Sequence, residues 1–189
     1  THTTSPAGAP IASTDGVRAL MQTRGLDLLE KLLVNVKVFR EQLKSEFGDE
    51  IILKTEDFEI GRFDPVKLVL RANVLGADGI DIETDLIASN IRVEMADRDT
   101  LIFQVTIADD SSTFARLANV LIPILHRRAR ESRKSATALS WTITPQKGAS
   151  LREAYFGRSQ LVAASEAVGR VSVDLVAPYP PGVAVLAPG

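Results

Sequence analysis

The sequence contains no cysteine. That absence removes disulfide scaffolds, thiolate zinc sites and thiol nucleophiles together, and it suits a reducing, cytoplasmic setting. Only two histidines occur, His2 in a loop and His126 at the basic end of a helix, and neither has a partner at metal-ligand spacing. Charge of one sign is not in excess: the formal net charge is −2 and the pI near 5.7. No basic stripe is interleaved with aromatics, so nucleic acid is not an expected partner. The longest strongly apolar runs, such as Leu101 to Ala108, fall far short of the roughly 20 residues that a membrane helix needs. No basic flank followed by an apolar stretch opens the chain, so no secretory signal is expected. Gly-x-Ser-x-Gly, P-loop and dinucleotide fingerprints are missing too; Gly61, Gly76 and Gly79 stand singly.

What is present is the material of a folded domain: 189 residues, 45% hydrophobic and 24% charged. Residues 1–10 are small, hydroxyl-rich and broken by two prolines, which predicts an extended loop. Ser13-Thr14-Asp15 supplies N-cap chemistry for a short helix through Met21. From Leu26, the residues Leu28, Leu29, Leu32, Leu33, Val36, Phe39 and Leu43 recur at helical spacing, a face that ends near Gly48. The period then changes. Lys67 to Ala72, Ile91 to Met95 and Leu101 to Ile107 are β-rich runs, the last two joined by the polar turn Ala96 to Thr100 as an antiparallel hairpin. Asp78 to Ser89 fits a helix between the first two strands. Asp109-Asp110-Ser111-Ser112 caps another, with Phe114, Leu117, Leu121 and Leu125 on one side, running into the basic stretch His126 to Lys134. The order predicts an α+β fold: a short, mostly antiparallel sheet covered on one face by helices. A short helix is expected near Ser165 to Val168, and Pro178-Tyr179-Pro180-Pro181-Gly182 reads as a rigid turn.

No catalytic set can be assembled from these residues. Glu94 and Asp97, with Asp109 and Asp110, are either a carboxylate cluster or turn and capping groups, the second being favoured. Arg127, Arg128, Arg130, Arg133 and Lys134 are either a phosphate or acidic-partner site or a solvated helix face, again with the second favoured. Thr1, Thr3, Thr4 and Ser5 are hydroxyl donors ahead of a helix, suited to a phosphate or to plain capping.

Four stretches together resemble the major-class ornithine/lysine/arginine decarboxylases. They are His2-Thr3-Thr4-Ser5-Pro6 with Ile11-Ala12-Ser13-Thr14; Ile91 to Asp97; Leu151 to Phe156; and Gly169-Arg170-Val171 with Pro178 to Val183 and Pro188-Gly189. Their order and spacing agree along nearly the whole chain. Ala7-Gly8, where the family has an aromatic residue, and Pro10 depart from the pattern.

The resemblance implies a pyridoxal-phosphate enzyme of the aspartate aminotransferase fold, in which a lysine-held cofactor takes up the substrate amine and carbon dioxide is lost into the cofactor's electron sink. It implies that the chain, whose two ends read as cut from something longer, is the C-terminal part of that enzyme. The cofactor lysine, its Ser-x-His and the aspartate on the pyridine nitrogen lie upstream, so the part alone is expected to be inactive, and a substrate-pocket glutamate follows Pro-Gly. By position, Thr3, Thr4 and Ser5 are the expected cofactor-binding residues, reaching a phosphate across a subunit boundary. No residue is assigned a catalytic or metal-binding role. The implied organisation is 1–25 as the end of the large cofactor domain, 26–144 as the small α+β domain and 145–189 as a C-terminal segment. The implied partners are the missing N-terminal large domain, further copies in a homodimer or higher homo-oligomer, and a basic amino acid that yields a polyamine-type amine. A related lyase or aminotransferase on the same fold and a non-catalytic interaction domain are the alternatives.

Overall fold

A computed structural model describes residues 7–59, 61–135, 143–179 and 182–189. The chain forms two compact units, Thr1–Lys134 and Ser135–Gly189.

The first unit opens with α1, Gly8–Phe47, a single helix of 40 residues. Two helices with a break near position 25 were expected, and the reason for the difference is local. Pro10 lies in the first turn, where its missing N–H has no intrahelical partner to lose. Ser13-Thr14-Asp15 does not cap a new helix: the Thr14 hydroxyl donates back to the Pro10 carbonyl at 2.9 Å and Asp15 accepts from Arg18 at 2.7 Å. Exposed pairs one turn apart, such as Lys31 with Asp27 at 3.0 Å, carry the helix onward. The boundary expected at position 25 therefore falls inside a helix. Only the second half of α1 meets a core, through Leu32, Val36, Phe39 and Leu43. Leu29 and Leu33, expected on that face, are exposed, so the buried seam is narrower than the apolar pattern suggested.

The sheet has three strands in the order β1-β3-β2: β1 Lys67–Arg71, β2 Met95–Ala96 and β3 Thr100–Gln104. Both pairings are antiparallel, with Leu68 opposite Phe103 and Leu70 opposite Leu101. These four side chains are buried on one face. Alternation along the strands predicts Val93, Met95 and Ile102 on the covered face; instead Ile102 and Met95 pair on the other side and are only half-buried. The expected strand Ile91 to Met95 shrinks to its end. The Ile91 amide is taken by the Leu86 carbonyl at 2.9 Å, closing α2 (Gly79–Ala88) behind Asn90, whose φ of +58° is left-handed. β3 also stops early, because Asp109 accepts from the Thr106 amide (2.7 Å) and hydroxyl (3.1 Å) and turns the chain.

α2 begins at the N-cap Asp78 and buries Ile82 and Leu86. α3, Ser111–Arg128, begins at Asp110 and buries Phe114, Leu117, Leu121 and Leu125 among others. Phe39 of α1 meets Phe114 edge-on, with ring centroids 5.8 Å apart. α3 ends at Arg128 and does not continue through the basic run.

In the second unit, α4 (Leu151–Phe156) starts at a capping box in which Ser150 and Glu153 satisfy each other's backbone amides. The expected helix near Ser165 to Val168 is one 3₁₀ turn, Ala164–Glu166. Val176 and Leu186 form an antiparallel bridge, and the Gly182 amide donates to the Pro178 carbonyl at 2.9 Å across the expected turn, of which Pro180 and Pro181 lie outside the described residues. Gly189, with φ of +91°, accepts from the amides of Gly148 and Ala149 at 2.7 and 2.9 Å. A Cβ there would stand 2.5 Å from the Ala149 oxygen, so only glycine closes this loop.

Candidate functional site

Thr3, Thr4 and Ser5, the expected cofactor-binding residues, lie outside the described residues. The helix they precede has Ala7 at its N-cap and no side-chain cap bond.

The acidic candidates do not converge. Glu94 is exposed beside β2. Asp97 accepts from the Asp99 amide (2.8 Å), the Thr100 amide (2.7 Å) and the Thr100 hydroxyl (3.0 Å), which makes it the organiser of the β2–β3 turn. Asp109 holds the turn before α3. Asp110 caps α3 by accepting from the amides of Ser112 and Thr113, and the Ser112 hydroxyl, its strongest partner, holds its carboxyl below the usual carboxylate range. Turn and cap chemistry accounts for all three aspartates. Among the described residues, no group of three or more His, Asp or Glu side chains is arranged to hold a metal ion.

The basic run is neither a phosphate cradle nor a plainly solvated face. Arg128 forms a fork on Asp85 (Nε to Oδ2 2.7 Å, Nη2 to Oδ1 3.0 Å) and reaches Asp81 at 3.2 Å. Arg127 also meets Asp85, at 3.0 Å. The hydrogen bond from Arg128 leads the influences that hold the Asp85 carboxyl below its ordinary value. Arg130 donates to the carbonyls of Arg127 and Ala129. His126 packs at a tilt against Phe47, with centroids 4.6 Å apart, and meets Glu46 at 3.3 Å.

Arg133 anchors the most buried polar junction described. Its guanidinium donates to the Asp99 carboxylate and to the carbonyls of Ala77 (2.8 Å) and Arg98 (2.6 Å), while Asn73 exchanges bonds with its backbone. Asp99 and Asn73 are each only 6% exposed. Sequence reading placed Asp99 in a polar turn and Arg133 in a basic run. Nothing local links positions 34 residues apart, so the pairing had no signal in spacing.

Open grooves are also present among the described residues. One of about 490 Å³ lies between α1 and the start of α3, beside Leu28, Val34 and Asp110. Another of about 720 Å³ lies within the second unit, beside Arg158, Leu161, Arg170 and Asp174. At these candidate positions the described interactions are turns, caps and ion pairs.

Residues 130–189 match the family described as Orn/Lys/Arg decarboxylase, C-terminal domain. The arginine decarboxylase of Bacillus subtilis (strain 168) is 28% identical over 194 residues, covering 99% of this chain and 39% of that protein. That of Halalkalibacterium halodurans is 27% identical over 195 residues, with the same two shares. The chain thus spans about two fifths of the length of the curated relatives it matches. A solved structure of the E. coli constitutive lysine decarboxylase superposes with a TM-score of 0.70 at 19% identity, covering all of this chain and 38% of that one, which shows a shared fold. The chain is thus similar to arginine decarboxylases over nearly its whole length, and its residues 130–189 match the C-terminal domain of the Orn/Lys/Arg decarboxylases.

Proposed function

We propose that the chain serves as the C-terminal part of a pyridoxal-phosphate-dependent decarboxylase of a basic amino acid, cytoplasmic and homo-oligomeric, which releases carbon dioxide and a polyamine-type amine. The observation that carries this reading is the match of 99% of the chain to arginine decarboxylases, which makes arginine the first substrate to test ahead of lysine and ornithine. The described residues support a division of labour within such an enzyme. Of the described lysines, Lys31 pairs with Asp27, and Lys44 and Lys54 pair with Asp49, at the surface of the first unit. The contribution of the described residues is to present a rigid α+β unit and a grooved C-terminal unit to the rest of the enzyme. When bound to the longer enzyme, the cofactor supplies the electron sink for decarboxylation.

The test is a release assay with labelled arginine, lysine and ornithine on the full-length protein and on this chain alone, with the cofactor added. Turnover of one substrate by the full-length protein and none by the chain is the expected result; a full-length protein that transaminates or does nothing with all three overturns the reading. Within it, Thr3, Thr4 and Ser5 bind the cofactor phosphate of a partner subunit. Charge-assisted bonds of roughly 1.5 to 3 kcal/mol each predict that Thr3→Ala with Ser5→Ala weakens cofactor binding to the full-length protein at least tenfold. An unchanged dissociation constant on titration removes Thr3 and Ser5 from the cofactor site.

A further inference from the structure

The segment after α3 is attached in an unusual way. Ala129 leaves the helix in an extended conformation, with φ −59° and ψ 138°. The chain then turns back across the 3₁₀ turn Ala72–Leu75: the Arg130 amide donates to the Leu75 carbonyl at 2.7 Å, the Arg133 amide to the Asn73 carbonyl at 3.1 Å, and the Asn73 side-chain amide to the Arg133 carbonyl at 3.3 Å. Contact is close enough to require glycine beneath it. At Gly76, with φ of +63°, a Cβ would stand 2.0 Å from the Glu131 carbonyl oxygen. From this segment the Arg133 guanidinium reaches three acceptors at once, Asp99, Ala77 and Arg98, which lie on the β2–β3 turn and on the approach to α2. A planar fork with several donors meets such a set together or loses it together.

None of residues 129–134 belongs to the buried apolar core. The bonds that hold the segment are polar: two backbone amides, the Asn73 side chain and the Arg133 guanidinium.

We propose that residues 130–133 form a clasp that opens and closes as one unit while the α+β core stays folded. Closed, the chain leaves the first unit at Lys134; open, it leaves at Arg128, and the tether to the C-terminal unit is longer. The inference does not depend on the decarboxylase reading. It also means that the first residues matched by the C-terminal domain family are built into the unit that precedes them.

Trypsin reads the state of the clasp, because Arg130 lies within it. On the intact chain, cleavage after Arg130 is compared with cleavage after the exposed Arg158 and after Arg71 in β1. Asp99→Asn removes the charged acceptor at nearly constant volume and is expected to speed the cut after Arg130 at least tenfold, while the cut after Arg71 keeps its rate. An unchanged rate after Arg130, or an equal acceleration after Arg71, overturns the proposal. Hydrogen exchange on the unaltered chain covers the case in which the variant does not fold. The amides of Arg130 and Arg133 are expected to share one protection factor, above that of an open loop and below that of Leu121 in α3. Unequal values, no protection, or protection equal to that of Leu121 each overturn it.

Discussion

Leu101 and Gly79 show how much individual side chains matter to this fold. Leu101 is fully buried in β3, opposite Leu70. Replacing it with Ala leaves a void between sheet and helices, so Leu101→Ala should cost about 2–5 kcal/mol, read as a lower urea midpoint with an unchanged slope. Gly79 acts through the space it leaves empty. A Cβ there would lie 2.2 Å from the Asp97 carbonyl oxygen and 2.8 Å from that of Thr100. Both oxygens are backbone in a turn that Asp97 holds with three hydrogen bonds, so they have little freedom to withdraw. Gly79→Ala should therefore destabilise by about 1–3 kcal/mol, although alanine is the better helix former. Gly16 is the control: it is helical and has nothing within 4 Å of a Cβ, so Gly16→Ala should cause no loss in the same measurement. If Gly79→Ala proves as mild as Gly16→Ala, the close approach of α2 to the turn is not rigid.

At the scale of elements, α2 and α3 are joined by the fork of Arg128 on Asp85, whose carboxyl is held below its usual range mainly by that bond. With the folded value below the unfolded one of roughly 3.9, the unfolded chain takes up the proton first as pH falls. The contribution is whole above that unfolded value and disappears as pH falls through the lower folded one. Asp85→Asn should lower the melting temperature at pH 7, and the gap to the unaltered chain should close at acid pH; a gap independent of pH would remove the ion pair as its cause. α3 also contains Pro123 in its interior, which forgoes one backbone bond. Pro123→Ala should stabilise the chain by about 2 kcal/mol, the helix gain less the looser unfolded state.

These elements also mark what could be read in advance. α2 and α3 were legible with their caps because Asp78 and Asp110 carry local chemistry, and β1 was legible because its pattern had no competitor. The early end of β3 depended on one aspartate bonding a threonine three residues back, and the truncation of β2 on an amide taken up by the helix before it. Both are contests between two satisfactory local structures, which apolar pattern alone does not decide. The continuity of α1 was hidden for a related reason, since Ser13-Thr14-Asp15 suits a cap and a helix interior equally well once Thr14 bonds back to Pro10. For the site, the four family-like stretches carried the reading, whereas Arg133 and Asp99 meet only through the fold.

At the scale of the whole chain, the two units differ in what holds them. The first has a contiguous core drawn from α1, the sheet, α2 and α3. Among the described residues of the second, only Ala154 is buried, while Leu161 is fully exposed and Tyr179, Val168 and Phe156 are 88%, 86% and 72% exposed. Its order rests on a capping box, one β-bridge and the glycine-closed loop at Gly189, each a local hydrogen-bonded device. Ordering a residue costs roughly 1–2 kcal/mol in backbone entropy, which buried apolar area normally offsets and here does not. Residues 1–134 produced alone should therefore unfold in one cooperative transition, at the denaturant midpoint of the complete chain. Residues 135–189 produced alone should show no cooperative transition and little amide protection. A sharp transition in the shorter piece would mean that it hides a core of its own, and its exposed apolar side chains would then need no further surface. Its absence leaves those side chains as the part of the chain that another protein surface must cover, in accord with relatives more than twice as long.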